Sequence, residues 1–506
     1  MRRLSNILLS ILALLLITQA GFSLRWPIAH DEAPLFYEAF LMRTEDRIPY
    51  RDIFDFQMPG SFAAYYALGV LSGFNDPGVR ILDLLILAAL LITTFFSMRR
   101  FGQTSAFAAS ILFGLKYLQG GPSMSLQREY LLLVLIAPAV WISMRDELTP
   151  KHRFALGLLF GLSAVIKPHA AIGLIPILLF DIADMIKRRK LTLLTTSPLG
   201  NAAARSILPA SAGFFIPIMI VIIWLGFTGA LNPFVEIAVN YWPLYAQING
   251  QMEITPQAER ISFLLNQFWR LGGSGLWLFP AMLGIYLNQN KQAYLVASLA
   301  LCYAIYPALS GQFFQYHYIP FVYLIILLAS LSISTIDLRL STLNLQLSSF
   351  IFLSVILFSV RPSAAFLRQI EGRPVITSTY RANEIARFLE TNLNEGDTVQ
   401  PLDWTGGTLL AMLETRAHIA TPYVFDFYFY HHVSNSYIQT LRADFLNRLQ
   451  TFPPRFIIEV TAIDKPWVSG EDTSRDFPGL RAFLNENYSV TIQKDDYIIY
   501  EIDDGQ

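Results

Sequence analysis

The chain has 506 residues, 54% of them hydrophobic and 15% charged, with a formal net charge of −1 and a mean hydropathy of +0.43. Soluble proteins carry about 25% charged residues, so a wholly soluble globule is excluded. The balanced charge offers no global field for nucleic acid, and with Cys302 as the only cysteine neither an intrachain disulfide nor a cysteine-ligated metal site can form.

Apolar runs of membrane-spanning length recur through residues 1–360 and predict about eleven transmembrane helices. They fall near 5–24, 79–98, 104–118, 129–144, 154–167, 169–186, 206–228, 272–288, 292–308, 318–335 and 345–360. The first run, with Arg2-Arg3 before it and Thr18-Gln19-Ala20 near its end, also has the features of a cleavable signal peptide. After it comes a segment, about 25–78, dense in acids and aromatics: His30-Asp31-Glu32-Ala33-Pro34, then Pro49-Tyr50-Arg51-Asp52 and Asp55-Phe56-Gln57-Met58-Pro59. Residues 61–75 are apolar but short, which suits a helix lying in the membrane interface.

Cationic residues punctuate the remaining runs: Arg99 and Arg100; Arg145, Lys151 and Arg153; Lys187 to Lys190; and Lys291. All fall on one side when eleven spans are counted, as the positive-inside rule requires. The N-terminus is then cytoplasmic and residue 361 onward is outside. A second long outside loop, about 229–270, is rich in Tyr, Trp, Asn and Gln.

Beyond Pro362 charged residues recur every few positions and the periodicity is that of a soluble domain. A helix is predicted over about 380–393, ended by Asn394-Glu395-Gly396-Asp397. Residues 455–460 read as a buried strand, and 490–492 with 497–500 as a hairpin. The predicted architecture is a polytopic α-helical membrane module, 1–360, followed by a small extracytoplasmic α/β domain, 361–506.

The polar residues this leaves unexplained lie at the outside ends of spans. Asp31 and Glu32 follow span one, Arg128 and Glu129 open span four, Lys167-Pro168-His169 joins spans five and six, and Gln315-Tyr316-His317-Tyr318 opens span ten. Their shared sidedness suits a reaction needing a base and a stabilised anionic leaving group. Each also has a structural reading. Asp31 and Glu32 are good helix-capping residues, Arg128 and Glu129 an interfacial ion pair, Lys167 a snorkelling cation, and His317 part of an aromatic belt. Asp83, Asp181 and Asp184 read as structural.

The serial order of Asp31-Glu32, Pro49-Tyr50-Arg51-Asp52, Asp55 with Pro59, Arg128-Glu129, Lys167-Pro168, and His317-Tyr318 with Pro320 resembles the GT-C superfamily of polyprenyl-phosphate-sugar-dependent glycosyltransferases. Within it, the chain is similar to bacterial protein O-mannosyltransferases and the lipid A aminoarabinose transferase. The resemblance covers residues 1–360 well and the C-terminal domain more loosely. It implies Asp31 as general base and Glu129 as a second catalytic acid. Lys167 and His317, with Arg128, would hold the departing lipid phosphate, and Glu32, Arg51, Asp55 and Tyr318 would complete the substrate-binding set. It further implies a lipid-linked sugar donor, inversion by direct displacement, no obligatory divalent metal, and residence in the bacterial inner membrane. The segment Phe56-Gln57-Met58-Pro59 departs from the family, where a basic residue and paired prolines are common. The rival readings are a lipid-linked oligosaccharide transferase or ligase, a transporter or flippase, and a non-catalytic membrane protein displaying its outside domain.

Overall fold

The computed structural model describes residues 2–189, 198–256, 258–339, 360–376 and 378–503. Its packing divides the chain into two units, one of Met1–Ser23, Asp83–Ile223 and Ile261–Leu367, the other of Leu24–Leu82, Trp224–Arg260 and Arg368–Gln506.

The first unit is a helical bundle. Ten of the predicted spans are helices: Arg2–Ser23, Asp76–Met98, Gln103–Gln119, Arg128–Ser143, Pro150–Ile166, Leu174–Arg189, Pro198–Phe227, Leu278–Leu287, Lys291–Ser310 and Ile319–Arg339. The eleventh, 345–360, lies outside the described residues apart from Val360. Among the described residues, six helical stretches are long and apolar enough to cross a membrane. Gln103–Gln119, Arg128–Ser143 and Pro150–Ile166, of 16 or 17 residues, reach about 25 Å at the helical rise.

The stretch Gln315–Ile333 is 94% buried and forms the centre of the bundle, whereas Ala203–Phe227 is only 22% buried. On the latter, Ile216, Met219, Ile220 and Ile223 point outward. An apolar surface of that extent is stable in lipid, not in water, and the chain is a multi-pass membrane protein. The helix Pro150–Ile166 lies backbone to backbone against Pro198–Phe227. A side chain at Gly157 would overlap the Ala210 carbonyl, and one at Gly161 the Phe214 carbonyl. This small-xxx-small spacing lets two helices approach closely where no water-driven hydrophobic effect acts.

At one end of the bundle the cationic connectors meet. Arg100 pairs with Asp146 at 2.8 Å, Arg188 with Glu147 at 3.4 Å, buried Arg153 with Asp181 at 2.7 Å, and Lys291 with Asp184. Asp181 and Asp184 are thus structural partners. So is Asp83, whose carboxylate accepts from Tyr117 at 2.6 Å and Ser125 at 2.7 Å.

The second unit contains a five-stranded sheet of order β2-β1-β3-β5-β4. Its strands are β1 (Thr398–Leu402), β2 (His418–Ile419), β3 (Phe456–Val460), β4 (Tyr488–Gln493) and β5 (Tyr497–Ile502). The pairs β1–β2 and β1–β3 are parallel, and β5 is antiparallel to both β3 and β4. Every residue of β3 is buried, as a central strand covered on both faces requires, and its one charged residue, Glu459, is paired with Arg481. The helix Ser378–Asn392 and the hairpin β4–β5 stand where the periodicity puts them.

Residues 229–270, predicted as a loop, contain the helices Leu231–Asn240, Trp242–Tyr245 and Arg260–Arg270. For the first two of these the reason is aromatic packing. Phe56 packs on Tyr241 and Tyr245 with ring centroids 5.4 and 4.1 Å apart, and Phe54 on Tyr428 at 4.8 Å. Trp242 donates its indole N–H to the Phe56 carbonyl at 2.9 Å. The segments 24–82 and 224–260 therefore pack with the C-terminal residues.

Candidate active site

In the helical unit, three helix ends far apart in sequence bring Glu129, Lys167 and His317 together. Glu129 stands in the first turn of Arg128–Ser143, where the positive end of a helix favours a carboxylate. Lys167 follows Pro150–Ile166 in an extended conformation, φ −148° and ψ 112°, because Pro168 disfavours the helical region for the residue before it. His317 sits in the 3-10 turn Gln315–Tyr318 that leads into Ile319–Arg339.

The Lys167 ammonium is paired with Glu129 and also lies 3.0 Å from Nε2 of His317. His317 Nε2 is 3.4 Å from Glu129 Oε1, and Tyr306 donates its hydroxyl to the same oxygen at 3.3 Å. The Gln312 carbonyl lies 2.7 Å from Nδ1 of His317. A carbonyl only accepts, so the network puts the imidazole proton on Nδ1 and leaves Nε2 to accept from Lys167. The Glu129 side chain is 0% exposed and that of His317 1%, while Lys167 keeps 15%. The ammonium is the accessible member of the trio, held in place from behind by an acid and a neutral imidazole. Arg128, buried beside Glu129, adds a second positive charge. Such a group, pre-positioned and partly dehydrated, is suited to meeting a developing anion. Tyr318 is buried, and its ring fills the space that a side chain at Gly272 would need.

The second unit holds the remaining candidates. Asp31 is the residue before the helix Glu32–Thr44, yet its side chain makes no capping hydrogen bond. It is buried and pairs instead with His30, Oδ1 to Nδ1 at 2.9 Å. His30 has a left-handed backbone, φ 53°, uncommon for a residue with a side chain. Glu32 instead accepts from the backbone with its carboxylate, taking the Ala29 N–H at 3.1 Å. Its carboxylate is also gripped by buried Arg80, with Nη1 at 2.9 Å from Oε1, and Arg80 donates further to the Trp26 and Pro27 carbonyls. Asp55 is buried and accepts from the Phe56 N–H at 2.6 Å. Arg51 is exposed, bound to Asp52 at 2.8 Å and to the Thr228 carbonyl at 3.0 Å.

Four of these neighbours were not singled out from the sequence: His30 as the partner of Asp31, Arg80, Tyr306 and Gln312. Arg80 carried a signal, since a charge inside an apolar span needs a partner. Tyr306 and the Gln312 carbonyl carried none. Among the described residues, no three His, Cys, Asp or Glu side chains gather as a metal-binding group.

The bundle, with its polar helix-end cluster and an α/β sheet, has an ArnT-like fold. The structure of ArnT from Cupriavidus metallidurans bound to undecaprenyl phosphate matches with a TM-score of 0.61 over 97% of both chains, at 10% identity. The apo form of the same ArnT gives 0.59 over 98% of this chain and 97% of that one, at 12% identity. The oligosaccharyltransferase AglB from Archaeoglobus fulgidus gives 0.45 over 89% of this chain and 69% of that one, at 10% identity. No protein-family model matches the chain, and no curated protein matches it in sequence. The likeness to ArnT extends over nearly the whole length and is a likeness of fold.

Proposed function

We propose that this chain is a membrane glycosyltransferase that moves a sugar from a polyprenyl-phosphate donor to an acceptor on the extracytoplasmic face. The observation that carries the reading is the Glu129–Lys167–His317 cluster, formed at helix ends of a bundle with the fold of ArnT, whose structure holds undecaprenyl phosphate.

In this reading Lys167 and Arg128 meet the negative charge that grows on the lipid phosphate as the glycosidic bond breaks. His317 and Glu129 fix the ammonium, and Glu129 also orients the sugar. Asp31, steadied by His30, takes the proton from the acceptor hydroxyl or amine as it attacks the anomeric carbon. One bond forms on the face opposite the one that breaks, and the configuration inverts. Glu32 acts through Arg80 to hold the start of its helix, and Arg51 and Asp55 shape the segment that follows. The membrane orientation belongs to the same proposal: cytoplasmic N-terminus, eleven spans, and an outside C-terminal domain in a bacterial inner membrane. The paired cationic connectors at the opposite bundle end support it.

The test is a membrane assay with a panel of radiolabelled polyprenyl-phosphate sugars. Transfer by Asp31→Asn is expected to fall by about 100-fold or more, the usual worth of a positioned base. An undiminished rate removes Asp31 from that role, and no transfer from any donor by the wild type overturns the reaction class.

A further inference from the structure

Glu129 carries its whole network on one carboxylate oxygen. Oε1 is paired with Lys167, lies 3.4 Å from His317 Nε2 and accepts the Tyr306 hydroxyl at 3.3 Å. Oε2 is buried and makes no hydrogen bond among the described residues. Within those residues Tyr306 is therefore the one group outside the trio that holds this carboxylate by a hydrogen bond. Tyr306 is itself buried, and a buried phenol keeps a partner because no water replaces it. Its ring is fixed as well, standing edge-on to His317 with centroids 6.2 Å apart and to His169 at 6.4 Å.

Tyr303 lies one turn earlier on the same helix, Lys291–Ser310, and is also buried. Its hydroxyl donates to the Ala170 carbonyl at 2.8 Å, in the 3-10 turn Pro168–Gly173 that directly follows Lys167. A side chain at Gly173 would overlap that hydroxyl, so the turn and the tyrosine are in close contact. Residues three apart on a helix share a face. One face of Lys291–Ser310 thus grips both the acid that holds Lys167 and the turn that aims it. Such bracing matters because a displacement of about 1 Å in a reacting geometry costs about 100-fold in rate.

We propose that Tyr306 is a positioning residue of the transfer reaction. It acts through Glu129 to keep the Lys167 ammonium where the departing phosphate needs it, while Tyr303 braces the turn. The phenol donates a hydrogen bond and transfers no proton. The inference rests on the proposed reaction.

The test is single-turnover transfer by the full-length chain at saturating donor. Tyr306→Phe keeps the ring and removes only the hydroxyl. Its rate constant is expected to fall about tenfold, the scale of one hydrogen bond to a charged group, with the amplitude and the donor KM retained. In a Glu129→Ala background the same substitution should cost nothing further, because residues acting as one unit are non-additive. Should Glu129→Ala fail to fold, Glu129→Gln takes its place, and its neutral amide should make the loss smaller than in the wild type. An unchanged rate constant, or a loss confined to the amplitude, overturns the proposal, since a merely structural role lowers the active fraction alone. So does an equal loss with and without Glu129. Absence of transfer by the wild type overturns the reaction and this inference with it, whereas normal wild-type transfer with an undiminished Tyr306→Phe overturns this inference alone.

Discussion

Lys167 shows how one side chain acquires a role that its type does not confer. A lysine at a span end ordinarily reaches to headgroups. Here the extended backbone forced by Pro168 turns it to Glu129 and to the lone pair of His317. If the ammonium neutralises the departing phosphate, Lys167→Gln should reduce the transfer rate by about 100- to 1,000-fold, the scale of losing one stabilising group at a developing anion. The measurement is single-turnover transfer at saturating donor; a change in KM alone would make Lys167 a ground-state binding group.

His431, in the second unit, sets a pH dependence. It is fully buried, with Tyr241 OH at 3.0 Å from Nε2 and the rings of Phe427 and His432 against it. Burial, and secondarily the neighbouring His432, push its pKa down to about 3. The imidazole therefore stays neutral in the fold but charges in the unfolded chain near its ordinary 6.5. The stability this confers is fully present above pH 6.5 and is lost as pH falls from there toward 3, by at most about 1.4 kcal/mol per unit. Melting midpoints in detergent should drop between pH 7.5 and 5.0, and His431→Gln should flatten the drop. An unchanged slope in that variant would assign the acid sensitivity elsewhere.

At the scale of elements, the close pair Pro150–Ile166 and Pro198–Phe227 depends on missing side chains. Gly157→Leu drives a side chain into the Ala210 carbonyl, where only backbone movement makes room, and overpacking of this kind costs about 1–3 kcal/mol. Gly226, on the second of these helices, has open space around the position of an added Cβ. Fluorescence-detected size-exclusion after heating should therefore show a lowered melting midpoint for Gly157→Leu and none for Gly226→Leu. Equal behaviour of the two would mean that the helices are not held at the approach described. The start of Glu32–Thr44 is fixed differently, by a buried ion pair whose partners are 48 residues apart. Removing Arg80 alone leaves a buried carboxylate uncompensated, which is a costlier change than removing both charges.

At the scale of the molecule, the proposed orientation has a direct readout. A periplasmic reporter fused after Arg361 should be active, and one placed between Arg145 and Lys151 inactive. An inactive fusion after Arg361 would remove the eleven-span arrangement while leaving the helical bundle intact.

What the amino-acid sequence determined by itself was everything that follows from local pattern. Apolar runs gave the helices because a backbone in lipid must satisfy its own hydrogen bonds. Pro168 gave the break after Ile166, and the mostly apolar segment 455–460 gave a buried strand. The tertiary structure alone decided the partnerships. Glu129, Lys167 and His317 are separated by up to 188 residues, and nothing local to any of them says that they touch. It also decided that Asp31 turns to His30 instead of capping its helix, that Glu32 is taken by Arg80, and that the aromatic segment 229–270 folds into short helices. In each case the preference was set by a distant surface, through burial, ion pairing or ring packing, and these forces depend on distance in space, which one-dimensional spacing does not record.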